Sequence, residues 1–99
     1  MNAEALTLVI DTIQQEADDL GYEELRKVSE DTPLFGGAGG VDSLSLVRLV
    51  AAIERAAERR LGARLVLADD RAMSMRNSPF RTVGSLAALV AERMAPANG

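Results

Sequence analysis

Leu6, Val9, Ile10, Ile13, Ala17 and Leu20 recur at intervals of three, four and seven residues, with Gly21 directly behind them. Side chains so spaced fall on one side of an α-helix, whereas a half-buried strand needs strict alternation. Glycine just past the last apolar position is a common helix stop. The pattern returns at Leu46, Leu49, Val50, Ile53 and Ala57, again closed by a glycine, Gly62. A second helix is therefore predicted from Ser43 to Leu61, with Arg59 and Arg60 in the last turn, where the dipole favours cations. A final helix is predicted from Thr82 to about Met94, with Val83, Leu86, Leu89 and Val90 on one face. The only aromatic residues are Tyr22, Phe35 and Phe80, so the core must be built from Leu, Val, Ile and Ala. Such a core suits small, closely packed helices rather than a β-sandwich.

Between these helices the pattern is broken. Residues 22–42 form a long connection with room for a helical turn from Glu23 to Val28, and Asp31-Thr32-Pro33 and GGAGG at 36–40 interrupt anything longer. The segment RLVLADDRAMSMRNSPF at 64–80 is ambiguous. Its RLVL reads as a short strand but has no evident pairing partner, and Asp69 or Asp70 can cap a short helix before Pro79. Met73 and Met75 read either as core filler or as adaptable contact residues. The expected fold is all-α: a small four-helix bundle with a long first loop and a short third helix. Residues 1–99 are expected to form a single domain, with a tail that frays from about residue 95.

Composition excludes several kinds of chemistry. The chain has neither cysteine nor histidine, which removes disulfides, thiolate nucleophiles, histidine-containing triads and the usual zinc and copper ligand sets. No nucleophile–base pair is visible, so the chain is expected to be acted on by enzymes rather than to be one. No apolar run reaches membrane-spanning length and no leader pattern opens the chain, so the expected location is the cytoplasm and the expected state a monomer. The net charge is −4, unevenly divided: residues 1–42 carry −8 and residues 43–99 carry +4. This asymmetry points to a two-faced surface for protein partners. Nucleic acid is a poor fit, because the total is acidic and no aromatic platform accompanies the arginines.

The stretch LFGGAGGVDSLSLVRLVAAIE, residues 34–54, concentrates what remains. Ser43 stands where a glycine-bearing loop meets the second helix. It can cap that helix, or it can be a modification site at a helix start, where the local field favours a phosphate. Leu46, Val50, Ile53 and Ala57 supply one apolar face of the helix. Leu44, Val47 and Ala51 form a second line, which is either a partner-binding patch or the mark of a helix buried on more than one side. GGAGGVDS lacks the lysine and spacing of a nucleotide-phosphate loop.

GVDSLSLVRLVAAIE resembles the modification site and second helix of acyl carrier proteins. Asp42, Ser43 and Leu44 match the Asp-Ser-Leu of that family, and Val47, Leu49, Ile53 and Glu54 follow at its spacing. FRTVGSL at 80–86 looks like the family's short connection into the last helix. The resemblance extends over roughly residues 4–94 and is strongest over 39–58. It implies a covalent 4′-phosphopantetheine on Ser43, attached from coenzyme A by a phosphopantetheinyl transferase. Acyl-loading and acyl-transferring enzymes would be the further partners. A thiol on such an arm would supply what a cysteine-free chain lacks. Asp42 would help to present the site to the transferase, or is simply a helix-start acid favoured by the dipole. Leu44, Val47, Arg48, Ala51, Glu54 and Arg55 would meet the partners.

The chain also departs from the family's usual pattern. Fatty-acid-synthesis carriers have a strongly acidic second helix, yet here residues 44–61 carry +2. The segment before the last helix also looks longer than usual. Those departures point to a carrier for a specialised lipid or polyketide-type pathway. A peptidyl or aryl carrier would use the same serine, and an unmodified helical interaction module remains a third reading.

Overall fold

Among the described residues, three α-helices carry the fold: α1 at Ala3–Leu20, α2 at Ser43–Leu61 and α3 at Val83–Met94, with a 3-10 helix at Glu23–Arg26 between the first two. The structure is a computed structural model and describes residues 3–35, 40–67 and 79–94. The described residues are all-helical, and they contain no strand beyond a single isolated bridge. The short third helix expected before Pro79, Met73 and Met75, and the tail from residue 95 all lie outside the described residues.

Both glycine stops act as expected. Gly21 and Gly62 have φ of 81° and 66°, in the left-handed region that side chains disfavour. The Gly21 and Tyr22 N–H groups donate back to the Ala17 carbonyl at 3.0 and 3.1 Å, and those of Gly62 and Ala63 donate to Glu58 and Ala57. The last carbonyls of each helix are thereby satisfied without extending it.

The two later faces are buried as their periods predict. On α2 these are Leu46, Leu49, Val50, Ile53 and Ala57, and on α3 they are Val83, Leu86, Leu89 and Val90. The face of α1 is rotated from its expected position. Ala5, Leu8, Val9, Thr12, Ile13 and Ala17 are buried, while Leu6, Ile10 and Leu20 lie at the edge. Both α2 and α3 pack on α1, so its buried arc is wider than one stripe and reaches a threonine. Thr12 tolerates burial because its hydroxyl donates to the Leu8 carbonyl at 2.7 Å.

The long connection is docked onto the start of α3. Val83 and Gly84 donate their N–H groups to the carbonyls of Thr32 and Glu30 at 3.0 and 2.7 Å, and Leu34 donates to Arg81 at 2.7 Å. Thr82 caps the helix through its hydroxyl, which accepts from the Ser85 N–H at 3.0 Å, and its carbonyl accepts from the Leu86 N–H. All four first-turn donors of α3 are thus satisfied within the protein. Leu34 is fully buried beside this seam, and Val41 donates to its carbonyl at 2.6 Å.

The RLVL segment at 64–67 is not a strand. Leu65 and Leu67 are buried and Val66 is exposed. Two side chains hold the segment as a strap. The Leu67 N–H donates to the Glu54 carboxylate at 2.8 Å, and the Arg93 guanidinium donates to the Val66 carbonyl at 2.7 Å. No helix among the described residues is long and apolar enough to cross a membrane.

Candidate functional site

Asp42, not Ser43, is the N-cap of α2. Its backbone is extended (φ −78°, ψ 172°), and its carboxylate accepts the Ser45 N–H at 2.7 Å. The Asp42 carbonyl accepts from the Leu46 N–H at 2.9 Å. Ser43 therefore opens the helix proper, one position inside the cap. Either side chain can cap, but aspartate adds a full negative charge at the positive end of the dipole.

The charge of Asp42 is held in place. Its carboxyl lies below the usual carboxylate range, first because of the Ser45 backbone N–H, then through the Ser45 hydroxyl, with a contribution from the Tyr22 hydroxyl. Tyr22 also accepts the Asp42 N–H at 3.2 Å. That bond ties the end of α1 to the start of α2 and fixes where Ser43 emerges. Tyr22 was not foreseen as a site residue. Its sequence signal is modest: an aromatic with a polar tip directly after a helix-stopping glycine, in a chain with few aromatics.

Ser43 itself is exposed, and among the described residues its hydroxyl has no hydrogen-bond partner. Ser45 is half-buried, with both its N–H and its hydroxyl turned to Asp42. The Ser43 and Leu44 N–H groups likewise lack partners among the described residues. The start of α2 is thus open where the start of α3 is closed.

Leu44 and Val47 are 73% and 62% exposed, beside Ser43 on the outward side. Ala51 is half-buried on the same line, and Arg48 and Arg55 are exposed along its edge. Glu54, expected with them on the contact surface, is half-buried and bonds inward to Leu67. The structure therefore brings together Asp42, Ser43, Leu44, Val47, Ala51 and the two arginines, and draws Glu54 aside. Of the loop glycines, Gly36, Gly37 and Gly39 lie outside the described residues. No group of three acidic side chains among the described residues is placed to hold a metal.

A family model described as the phosphopantetheine attachment site matches residues 10–72, well over half of the chain. The chain belongs to the phosphopantetheine-attachment family. Members carry a covalently attached 4′-phosphopantetheine, and the match spans most of α1, the long connection and all of α2. The likeness of FRTVGSL at 80–86 to a carrier connection lies beyond the matched residues. No curated protein and no solved structure matches the chain significantly. The residues at the start of α2 fit the prosthetic group of the family: a primary hydroxyl that is exposed and uncommitted, at a helix terminus whose open N–H groups favour a phosphate.

Proposed function

We propose that this protein is an acyl carrier that holds acyl groups as thioesters on a 4′-phosphopantetheine arm at Ser43. It is acted on by partner enzymes and is not itself a catalyst. The observation that carries this reading is the open Ser43 hydroxyl at the first residue of α2, within the family match. When attached, the arm supplies a thiol to a chain that has no cysteine.

The chain's own residues have separable tasks. Ser43 Oγ is the oxygen that joins the phosphate. It loses its proton to a base on the transferase and bonds to the pantetheine-side phosphorus of coenzyme A, while the pyrophosphate P–O bond breaks and adenosine 3′,5′-bisphosphate leaves. Asp42 and Tyr22 fix the helix start from which it projects. Leu44, Val47 and Ala51, edged by Arg48 and Arg55, form the surface offered to the transferase and to acyl-loading and acyl-transferring enzymes. Aspartate before the serine favours an acyl over a peptidyl or aryl cargo. The basic balance of α2 favours a specialised lipid or polyketide-type pathway over general fatty-acid synthesis.

Intact mass after incubation with coenzyme A and a broad-specificity phosphopantetheinyl transferase tests the assignment. Wild type and Ser45→Ala should each gain one arm, and Ser43→Ala should gain none. Full modification of Ser43→Ala would place the arm elsewhere. An unchanged wild-type mass would leave the interaction-module reading.

A further inference from the structure

We infer that the partner surface which docks on α2 is acidic, presenting carboxylates beside an apolar site that receives Leu44 and Val47. The inference rests on the carrier reading above for bringing partners to this face. Its own ground is how the charges of α2 are used.

α2 holds four arginines and two glutamates. Both glutamates are already engaged. Glu54 takes the Leu67 N–H at 2.8 Å, and Glu58 lies 3.8 Å from Arg64. Of the arginines, Arg60 is paired with Asp11 of α1 at 3.3 Å. Arg48, Arg55 and Arg59 are exposed and have no ion-pair partner among the described residues.

Their placement is directional. Residues seven and four apart return to nearly the same side of a helix, so Arg48, Arg55 and Arg59 run along one edge of the line made by Leu44 and Ala51. Glu54 lies across that line, turned towards the strap. An arriving surface therefore meets two exposed apolar side chains with uncompensated cations along one margin. Arg48 and Arg55 stand about 10 Å apart along the axis, at about 1.5 Å per residue.

A basic partner would bring like charge against that margin, which repels wrong partners as effectively as complementarity attracts right ones. A partner with carboxylates at a matching interval would neutralise it. Polyphosphate chains answer the description less well, since residues 1–42 carry −8 on the same small body and repel an extended polyanion.

Two synthetic helical peptides with identical apolar faces provide the test, one edged with glutamate at a seven-residue interval and the other with lysine. Each is titrated into the unmodified, nitrogen-15-labelled full chain at low and moderate salt. The glutamate peptide should shift amides from Leu44 to Arg59 and weaken as salt rises. Arg48→Glu with Arg55→Glu should weaken it about tenfold, as two exposed charge pairs allow, and should admit the lysine peptide. Equal binding of the lysine peptide by wild type overturns the inference. So do shifts confined to α1, tighter binding of a single-stranded oligonucleotide than of the glutamate peptide, or no binding of either peptide. The mass experiment on Ser43 is independent. If no arm is gained while the peptide result holds, the carrier reading fails and the polarity of the surface stands.

Discussion

At the scale of single residues, the division of labour between Asp42 and Ser43 decides what the start of α2 can do. A capping serine would commit its oxygen to the backbone. With Asp42 bonded to Ser45 instead, the Ser43 oxygen is left for a reagent from outside. Ser43→Ala should therefore change stability by no more than about 0.5 kcal/mol, as expected of a surface change that breaks no cap. Asp42→Ala should lower the urea midpoint clearly, because it deletes the cap. The same bond sets a pH dependence. The folded carboxyl of Asp42 lies below the ordinary value of a free aspartate, about 3.9. Its contribution is therefore present above that value and is lost as pH falls through the lower, folded value. Asp42→Asn keeps a capping oxygen but cannot titrate. The stability gap between wild type and Asp42→Asn should be constant above about pH 5 and should shrink below pH 4. A gap that widens on acidification would refute the stabilised charge.

At the scale of elements, the seam between the first connection and α3 depends on a missing side chain. A Cβ at Gly84 would stand 2.7 Å from Glu30 Cγ and 2.9 Å from the Glu30 carbonyl oxygen. The side chain can swing away, but the carbonyl is held by the Gly84 N–H itself at 2.7 Å. Gly84→Ala should cost about 1–3 kcal/mol in chemical denaturation, as an overpacked contact does. Adding Glu30→Ala should recover only the side-chain share; full recovery would show that the backbone contact is harmless. This seam explains where sequence reasoning stopped. The spans of α2 and α3 were legible because each apolar period runs unbroken, closed for α2 by a glycine stop. Which oxygen caps α2 was left open by the sequence, because aspartate and serine are both good caps. The docking of Thr32 and Glu30 on α3 joins residues about fifty positions apart, and no local pattern encodes such a bond. The rotated face of α1 has the same origin, since two neighbours chosen by the tertiary fold define it. Spacing separated the two lines on α2 but left the burial of the second open, and the structure exposes Leu44 and Val47. Ile53→Ala should cost about 2–5 kcal/mol through lost burial and a cavity. Leu44→Ala, by contrast, should cost no more than about 0.5 kcal/mol. Equal losses would place Leu44 in the core.

At the scale of the whole molecule, one side of α2 is bounded by the strap at 62–67, which joins α2 to α3 through Glu54 and Arg93. Leu65 and Leu67 anchor it in the core, and among the described residues the Glu54 and Arg93 side chains bond its backbone. Glu54 therefore sets the margin of the proposed partner surface indirectly. By accepting the Leu67 N–H, it keeps the strap closed against α2 and keeps its own charge out of the exposed face. Glu54→Ala removes one bond to a charged acceptor, for a loss of about 1–3 kcal/mol. The loss should be local. Amide exchange at Leu67 should accelerate strongly, whereas the amides of Ile13 and Ile53, in the packed centre of α1 and α2, should slow or quicken only with global stability. Glu54→Gln retains an accepting oxygen and should restore much of the protection at Leu67. It also separates the hydrogen bond from the charge, since both variants leave the arginine edge unopposed. If Glu54→Ala leaves Leu67 protected, the strap is held by its buried leucines alone. If it loosens the α1 and α2 centres as much as Leu67, strap and bundle open as one unit.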